Sequence, residues 1–171
     1  MHTGKLRTAE LRMAGEGDDK KISAIEGYAA VFYNADDPGT EYWIFDDLVE
    51  RIHPDAFKRS LEENDMTVDF NHNPDIFLGR TAGTASVIVD RFGLKYNVPY
   101  DADDMDHRNI GAKMKREDVT GSSFVFVDRG SEWTEEEING RTVTVRMIKD
   151  ANVFSFGPVT NPAYELSLIH I

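Results

Sequence analysis

Apolar and polar residues alternate over several short runs of the chain, and this period of two predicts β-strands. The first run, residues 22–33, is rich in β-forming residues, and we expect a bend or bulge at its Gly27. The dipeptide Asn139-Gly140 separates two strand-like runs and predicts a hairpin turn. The remaining predicted strands cover residues 66–70, a hairpin over 84–100, and residues 122–128, 135–148 and 152–160.

Two segments show a helical pattern instead. Residues 52–64 predict a short helix with Pro54 in its first turn. Residues 102–118 predict a second helix, with Ile110 and Met114 on its apolar side and an aspartate capping its start. Many strands and two short helices indicate an α+β fold. We therefore expect a single-domain, mostly antiparallel β-barrel, closed or nearly closed, with a few peripheral helices.

Length and composition set the domain organisation. The 171 residues are 40% hydrophobic and 29% charged, which is typical of one folded domain with a sizeable core. We expect a partly flexible N-terminal segment over residues 1–21 and the domain itself over residues 22–165. Residues 166–171, LSLIHI, fit the strand pattern poorly and resemble a translated sequencing adaptor, so we expect a non-native tail there.

The composition also excludes several functions. The chain has no cysteine, which removes disulfides, thiolate catalysis and Cys-ligated zinc. Its net charge of −12 argues against direct nucleic-acid binding, and no apolar run approaches the length of a membrane span. Metal-binding and phosphate-binding motifs are absent, so we expect no cofactor and no metal site.

His72 is the histidine best placed for chemistry. It ends a predicted strand between two asparagines, and Pro74 follows. Strand ends are favoured positions for catalytic groups, although a polar turn with a surface histidine explains the same residues. His53 precedes a proline at a helix entry and is expected to cap or lie on the surface, and His107 is expected on a solvated helix face.

The stretch TGSSFVF contains two adjacent serines at the start of a strand. Alternation places Ser122 on the face of the phenylalanines and Ser123 on the opposite face. A serine becomes a nucleophile when a base takes its proton, and His72 is the well-placed candidate. The alternative is that both hydroxyls only satisfy hydrogen bonds of a turn.

Six stretches follow one another over about residues 22–164: IEGYAAVF, ERIHPDAFKRSL, VDFNHNPDIFLGRT, DRFGLKYNVPY, GSSFVF and FGPVTNPAY. In this order they resemble the prohead proteases of HK97-like tailed phages. That family is related in fold to the herpesvirus assembly proteases.

The resemblance assigns the catalytic histidine to His72 and the nucleophile to Ser123, and leaves Ser122 in a structural role. Many relatives carry an acidic residue at the position that holds Ser155 here. We therefore expect Asp150, the nearest acid, as the third catalytic residue; another carboxylate or His53 could also fill this role. Arg80 is expected to support the oxyanion or substrate, with a structural salt bridge as the alternative.

By resemblance, the protein is a serine endopeptidase that cleaves the scaffolding region of the major capsid protein, and itself, during prohead maturation. The expected partners are the major capsid protein and its scaffold region, with self-association as a further expectation. The expected location is the immature capsid in the host cytoplasm. Two alternatives remain: a catalytically lapsed relative that binds the scaffold during assembly, and an unrelated β-barrel binding module.

Overall fold

The structure, a computed structural model, describes residues 9–14 and 21–162; the expected N-terminal flexibility at residues 1–8 and 15–20 and the expected tail at residues 166–171 lie outside the described residues. Ten strands and two helices follow one another along this part of the chain. Their bounds are β1 (Ala9–Ala14), β2 (Lys21–Val31), β3 (Tyr42–Phe45), β4 (Leu48–Ile52), α1 (Lys58–Glu63), β5 (Thr67–Phe70), β6 (Asn73–Arg80), β7 (Ser86–Val89), β8 (Gly93–Pro99), α2 (Met105–Lys115), β9 (Gly121–Ile138) and β10 (Arg141–Val159).

The strands form two sheets. The smaller sheet has the order β1-β2-β8-β7, with every neighbouring pair antiparallel. The larger sheet is built on β10, which pairs with β9 along one edge. The other edge of β10 pairs in parallel with β4 at residues 144–148 and with β5 at residues 155–156. β3 pairs with β4, and β6 pairs with β5.

The expected closed barrel is not formed, since the strand pairing of the described residues gives two open sheets. The larger sheet is also mixed rather than antiparallel, because β10 has two parallel partners. Apolar alternation shows which side of a strand is buried, but it contains no information about which strands are neighbours. The α+β class is confirmed, and the prediction of a closed antiparallel barrel was wrong.

A single main core lies beneath the inward sides of the strands. Aromatic rings connect its parts: Tyr96 on β8 lies 5.4 Å from Phe156 on β10, measured between ring centroids. Phe57, just before α1, lies 5.7 Å from Phe124 on β9 in an edge-to-face contact. All four side chains are buried, so the two sheets and α1 are held together by apolar packing.

Both predicted helices exist, with shifts at their ends. Asp104 caps α2 by accepting hydrogen bonds from two backbone N–H groups, and Ile110 and Met114 are buried as expected. The first helix is shorter than predicted, because Pro54 lies in a turn that precedes α1. The bulge in β2 falls between Tyr28 and Ala30 rather than at Gly27.

The predicted hairpin turn at Asn139-Gly140 is confirmed, with φ values of 52° and 73°. It joins two strands of 18 and 19 residues, so the separate strands predicted in this region are parts of one long hairpin. Within the described part of the chain, neither helix has the length and apolarity that crossing a membrane requires.

Candidate active site

His72 lies in the two-residue turn that joins β5 to β6. Asn71 and His72 have φ values of 57° and 54°, and the flanking residues Phe70 and Asn73 are paired across the hairpin. Positive φ at both central positions is typical of a type I′ turn, in which asparagine and then glycine are preferred. Pro74 follows this turn and lies within β6, on the edge of the sheet, where proline is tolerated.

Asn71 fixes this turn to the end of β10. Its backbone N–H donates to the carbonyl of Pro158 at 3.0 Å. Its side-chain Oδ1 accepts a hydrogen bond from the backbone N–H of Thr160 at 2.8 Å. The imidazole of His72 is thus carried on a hairpin that is bound directly to the strand next to β9.

The two serines of β9 occupy opposite faces, as alternation predicted. Ser122 is 4% exposed and its hydroxyl shares a 2.7 Å hydrogen bond with the hydroxyl of Tyr96 in the core. This contact supports its structural role. Ser123 lies on the other face and is 3% exposed. It is paired across the ladder with Gly157 of β10.

Gly157 brings β10 unusually close to β5. A Cβ atom at this position would lie 2.0 Å from the carbonyl oxygen of Asp69, so no larger residue fits without moving the backbone. Ser123, Gly157 and Asp69 therefore follow one another across three neighbouring strands. Strands are about 4.8 Å apart, which puts the first and last of these residues about 10 Å apart. This distance is about what one imidazole ring needs if it is to lie between the side chains of Ser123 and Asp69 with a polar partner at each nitrogen.

The imidazole of His72 has two polar neighbours at its Nδ1 atom. The hydroxyl of Ser155 lies 3.4 Å away, and the carboxylate Oδ1 of Asp69 lies 3.9 Å away. Burial lowers the pKa of His72 below its usual 6.5, while the charge of Asp69 acts in the opposite direction. The neutral ring, which is the form a general base needs, is therefore favoured at neutral pH.

Asp69 is a site residue that sequence reasoning missed. It is 3% exposed, and burial raises its pKa, against smaller lowering effects of the Ser155 hydroxyl, the His72 charge, the Thr67 hydroxyl and the His72 backbone N–H. Alternation contained a signal for it: Val68 and Phe70 are core residues, so the carboxylate between them lies on the opposite face, which is also that of Ser123.

Asp150, the residue expected as the third catalytic member, is not brought to His72. Asp150 is paired with Gly130 of β9. It precedes Gly157 by seven residues, so it lies roughly 20 Å from Gly157 along β10. Its carboxylate lies 3.6 Å from the guanidinium of Arg59. The position held by Ser155 does contact His72, whereas Asp150 contacts Arg59 instead, and a catalytic role for either residue stays a prediction.

Arg80 lies at the end of β6 and is held by Asp65. Its Nε donates to the Asp65 carboxylate at 2.7 Å, and its Nη2 forms an ion pair with the same group. Asp65 also accepts a hydrogen bond from the backbone N–H of Ala82. This arrangement favours the structural salt bridge, and a role of Arg80 at the oxyanion stays a prediction.

The other internal histidines have structural contacts. His107 was expected on a solvated face, and this is wrong: it is 5% exposed. Its Nδ1 accepts from the backbone N–H of Asp101 at 3.0 Å, and its Nε2 donates to the carbonyl of Leu78 at 2.8 Å. The helical pattern did not reveal that α2 packs this side against β6. His53 caps a turn, as expected, by accepting from the backbone N–H of Asp55.

No metal site is apparent among the described residues: no three acidic or histidine side chains in residues 21–162 lie close enough together to hold an ion. The candidate site instead has an imidazole beside a buried carboxylate, with Ser123 on the strand next to the one that binds the His72 turn. Such a combination is that of hydrolases in which a serine hydroxyl is activated by histidine.

Comparison with curated proteins and with solved structures finds no match, so the expected relation to herpesvirus proteases stays a prediction. A comparison with family models gives a match over residues 8–171, nearly the whole chain, to the model described as caudovirus prohead serine protease. The extent of that match and the six stretches that resemble the same family lead to one conclusion. The chain belongs to the caudovirus prohead serine protease family.

Proposed function

We propose that the protein is a serine endopeptidase in which Ser123 is the nucleophile and His72 is the general base. The observation that carries this proposal is the convergence of their strands. Ser123 is paired with Gly157, and the turn that carries His72 is bound to the adjoining residue, Pro158. Membership of the family supports the same reaction class.

The proposed reaction follows from the two nitrogens of His72. Nδ1 faces Ser155 and Asp69, which leaves Nε2 to accept the hydroxyl proton of Ser123. Oγ then attacks the peptide carbonyl, the protonated ring gives its proton to the leaving amine, and an acyl-enzyme forms. Water then attacks the acyl carbon while the ring takes its proton. The ring returns this proton to Oγ as the bond to the acyl group breaks, which releases the acid and restores Ser123. Backbone N–H groups near the serine are the proposed oxyanion donors.

Exposed apolar side chains on the same face favour a peptide substrate. Val125, two residues from Ser123 along β9, is 40% exposed, and Phe77, paired with Asp69, is 42% exposed. Large apolar groups left open beside a catalytic pair can bind the side chains of an extended chain. Ser123 itself is 3% exposed, so binding of a substrate has to open the site locally.

The proposed substrate is the scaffolding region of the major capsid protein, together with the protease itself, inside the immature capsid in the host cytoplasm. Family membership supports a role in capsid maturation, and the finer assignment is tested by co-expression with the cognate capsid protein. Ser123→Ala and His72→Ala are each expected to abolish cleavage, while the Ser122→Ala control retains it. Cleavage by the purified Ser123→Ala protein would refute the assignment. Binding without cleavage by the unmodified chain would instead identify a lapsed relative.

A further inference from the structure

We propose that Asp69 is the positioning carboxylate of His72, acting with the hydroxyl of Ser155. Its role would be to orient the ring through Nδ1 and to stabilise the imidazolium that forms when Ser123 loses its proton. The inference rests on the proposed function of the Ser123–His72 pair. It assigns to β5 a carboxylate that the resemblance places on β10.

The first support is the state of the Asp69 carboxylate. Its Oδ2 accepts a hydrogen bond from the Thr67 hydroxyl at 3.2 Å, which fixes the group on this face. Its Oδ1 is buried, lies 3.9 Å from Nδ1 of His72, and makes no hydrogen bond of ordinary geometry in the described part of the chain. The Ser155 hydroxyl and the His72 backbone N–H are nevertheless close enough to the carboxylate to lower its pKa. A buried carboxylate oxygen without a partner is costly. A positive charge that appears on His72 during the reaction would offset that cost.

The second support is the geometry around Ser155. The ladder pairs Ser155 with Thr67, so position 155 on β10 and position 69 on β5 lie beside the same turn. The Ser155 hydroxyl is 3.4 Å from Nδ1. The hydroxyl can accept a hydrogen bond from Nδ1–H of His72 and donate one to the carboxylate of Asp69. It thereby links the ring to Asp69, whose Oδ1 is too far from Nδ1 for a direct hydrogen bond.

The third support is that no competing charge faces the ring among the described residues. Arg80 on β6 is engaged by Asp65. Lys113 on α2 lies 5.7 Å from the ring centroid of Phe70, over its face. Asp69 on β5 is the group whose charge raises the pKa of His72. Removing this charge should therefore lower the pKa of the imidazole.

The experiment compares Asp69→Asn with Asp75→Asn in the full chain. Asp75 is an exposed aspartate of the same hairpin, so its replacement makes the same change of charge and of shape. Two quantities are measured: the pKa of His72 by NMR titration, and the rate at which a fluorophosphonate probe labels Ser123 as a function of pH. NMR amide spectra show that each variant is folded.

For Asp69→Asn we expect the labelling rate to fall by up to about 10⁴-fold, the loss typical of replacing a triad aspartate by asparagine. The pKa of His72 and the acid limb of the labelling profile should both move to lower pH. Asp75→Asn should leave both unchanged. An Asp69→Asn protein that labels within twofold of the unmodified chain, or in which the pKa of His72 does not fall, would overturn the inference.

A rescue variant distinguishes positioning from a general effect on folding. Adding Ser155→Asp to Asp69→Asn returns a carboxylate to Nδ1 from β10, and we expect labelling to recover at least about tenfold over the single variant. No recovery, with both proteins folded, would count against a shared role of the two positions. If the probe labels a residue other than Ser123, the proposed function fails, while the NMR titration still tests the link between Asp69 and His72.

Discussion

His72 occupies the left-handed region of backbone space, with φ of 54°, so replacing it by alanine or by glycine separates its chemistry from its conformation. Both substitutions remove the imidazole and should abolish cleavage. They differ in the Cβ atom, which costs about 1–2 kcal/mol in left-handed backbone. Glycine avoids this cost but loses about 0.5–1 kcal/mol more chain entropy on folding. We therefore expect His72→Gly to be more stable than His72→Ala by about 0.5–1 kcal/mol.

The assay is thermal unfolding of the purified variants. For a chain of this size, 1 kcal/mol corresponds to a change in Tm of about 2–4 °C, so the glycine variant should melt about 1–4 °C above the alanine variant. Gly140→Ala provides a calibration in the same protein. Gly140 has φ of 73°, and a Cβ there would meet no atom within 4 Å, so this substitution reports the conformational cost alone.

The difference in Tm between His72→Gly and His72→Ala has to agree with the difference between the unmodified protein and Gly140→Ala. Gly140→Ala should lower Tm by a similar amount and leave cleavage unchanged, since that turn lies at the far end of the β9–β10 hairpin. If Gly140→Ala is destabilised while His72→Ala is as stable as His72→Gly, the assignment of a type I′ turn at Asn71-His72 is refuted. The reasoning that the fold holds the base in a strained turn would then fail as well.

Three further predictions concern the same site. Gly157→Ala should destabilise the protein by about 2–3 kcal/mol in denaturant unfolding, because its Cβ would meet the Asp69 carbonyl oxygen at 2.0 Å; an unchanged midpoint would contradict the close approach of β10 to β5. Ser122→Ala should cost about 1–3 kcal/mol by leaving the buried Tyr96 hydroxyl without this partner, yet should keep Ser123 reactive toward a fluorophosphonate; loss of labelling in a folded variant would argue against its structural role. Because burial depresses the pKa of His72 below 6.5, the neutral ring persists as pH falls to 6.5, and labelling of Ser123 should decline only at more acidic pH; a decline centred above pH 6.5 would show the opposite shift.

Much of the local structure follows from short-range patterns in the sequence. The aspartate cap of α2, which is Asp104, and the turn at Asn139-Gly140 are confirmed, and the hydrogen bond to Tyr96 places Ser122 on the core side as predicted. Each of these depends on neighbours within a few residues, where alternation, capping and turn preferences act directly. The same patterns placed His72 at a strand end, although they did not show that the chain turns back at once into β6.

The sequence by itself therefore determined many of the strands, although not β3, β4 or β6. It also determined which sides of β5 and β9 face the core, and which hydroxyl and imidazole are candidates for the site. Only the tertiary structure decided that β10 runs parallel to β5, and this pairing places Ser155 and Asp69, rather than Asp150, beside His72. It also buried His107 against β6. The physical reason is that strand pairing joins residues that are far apart in sequence, such as Thr67 and Ser155. It does so through backbone hydrogen bonds, which any residue but proline can donate and every residue can accept. Side-chain alternation is thus a local property, whereas the choice of neighbouring strand depends on how the whole core packs.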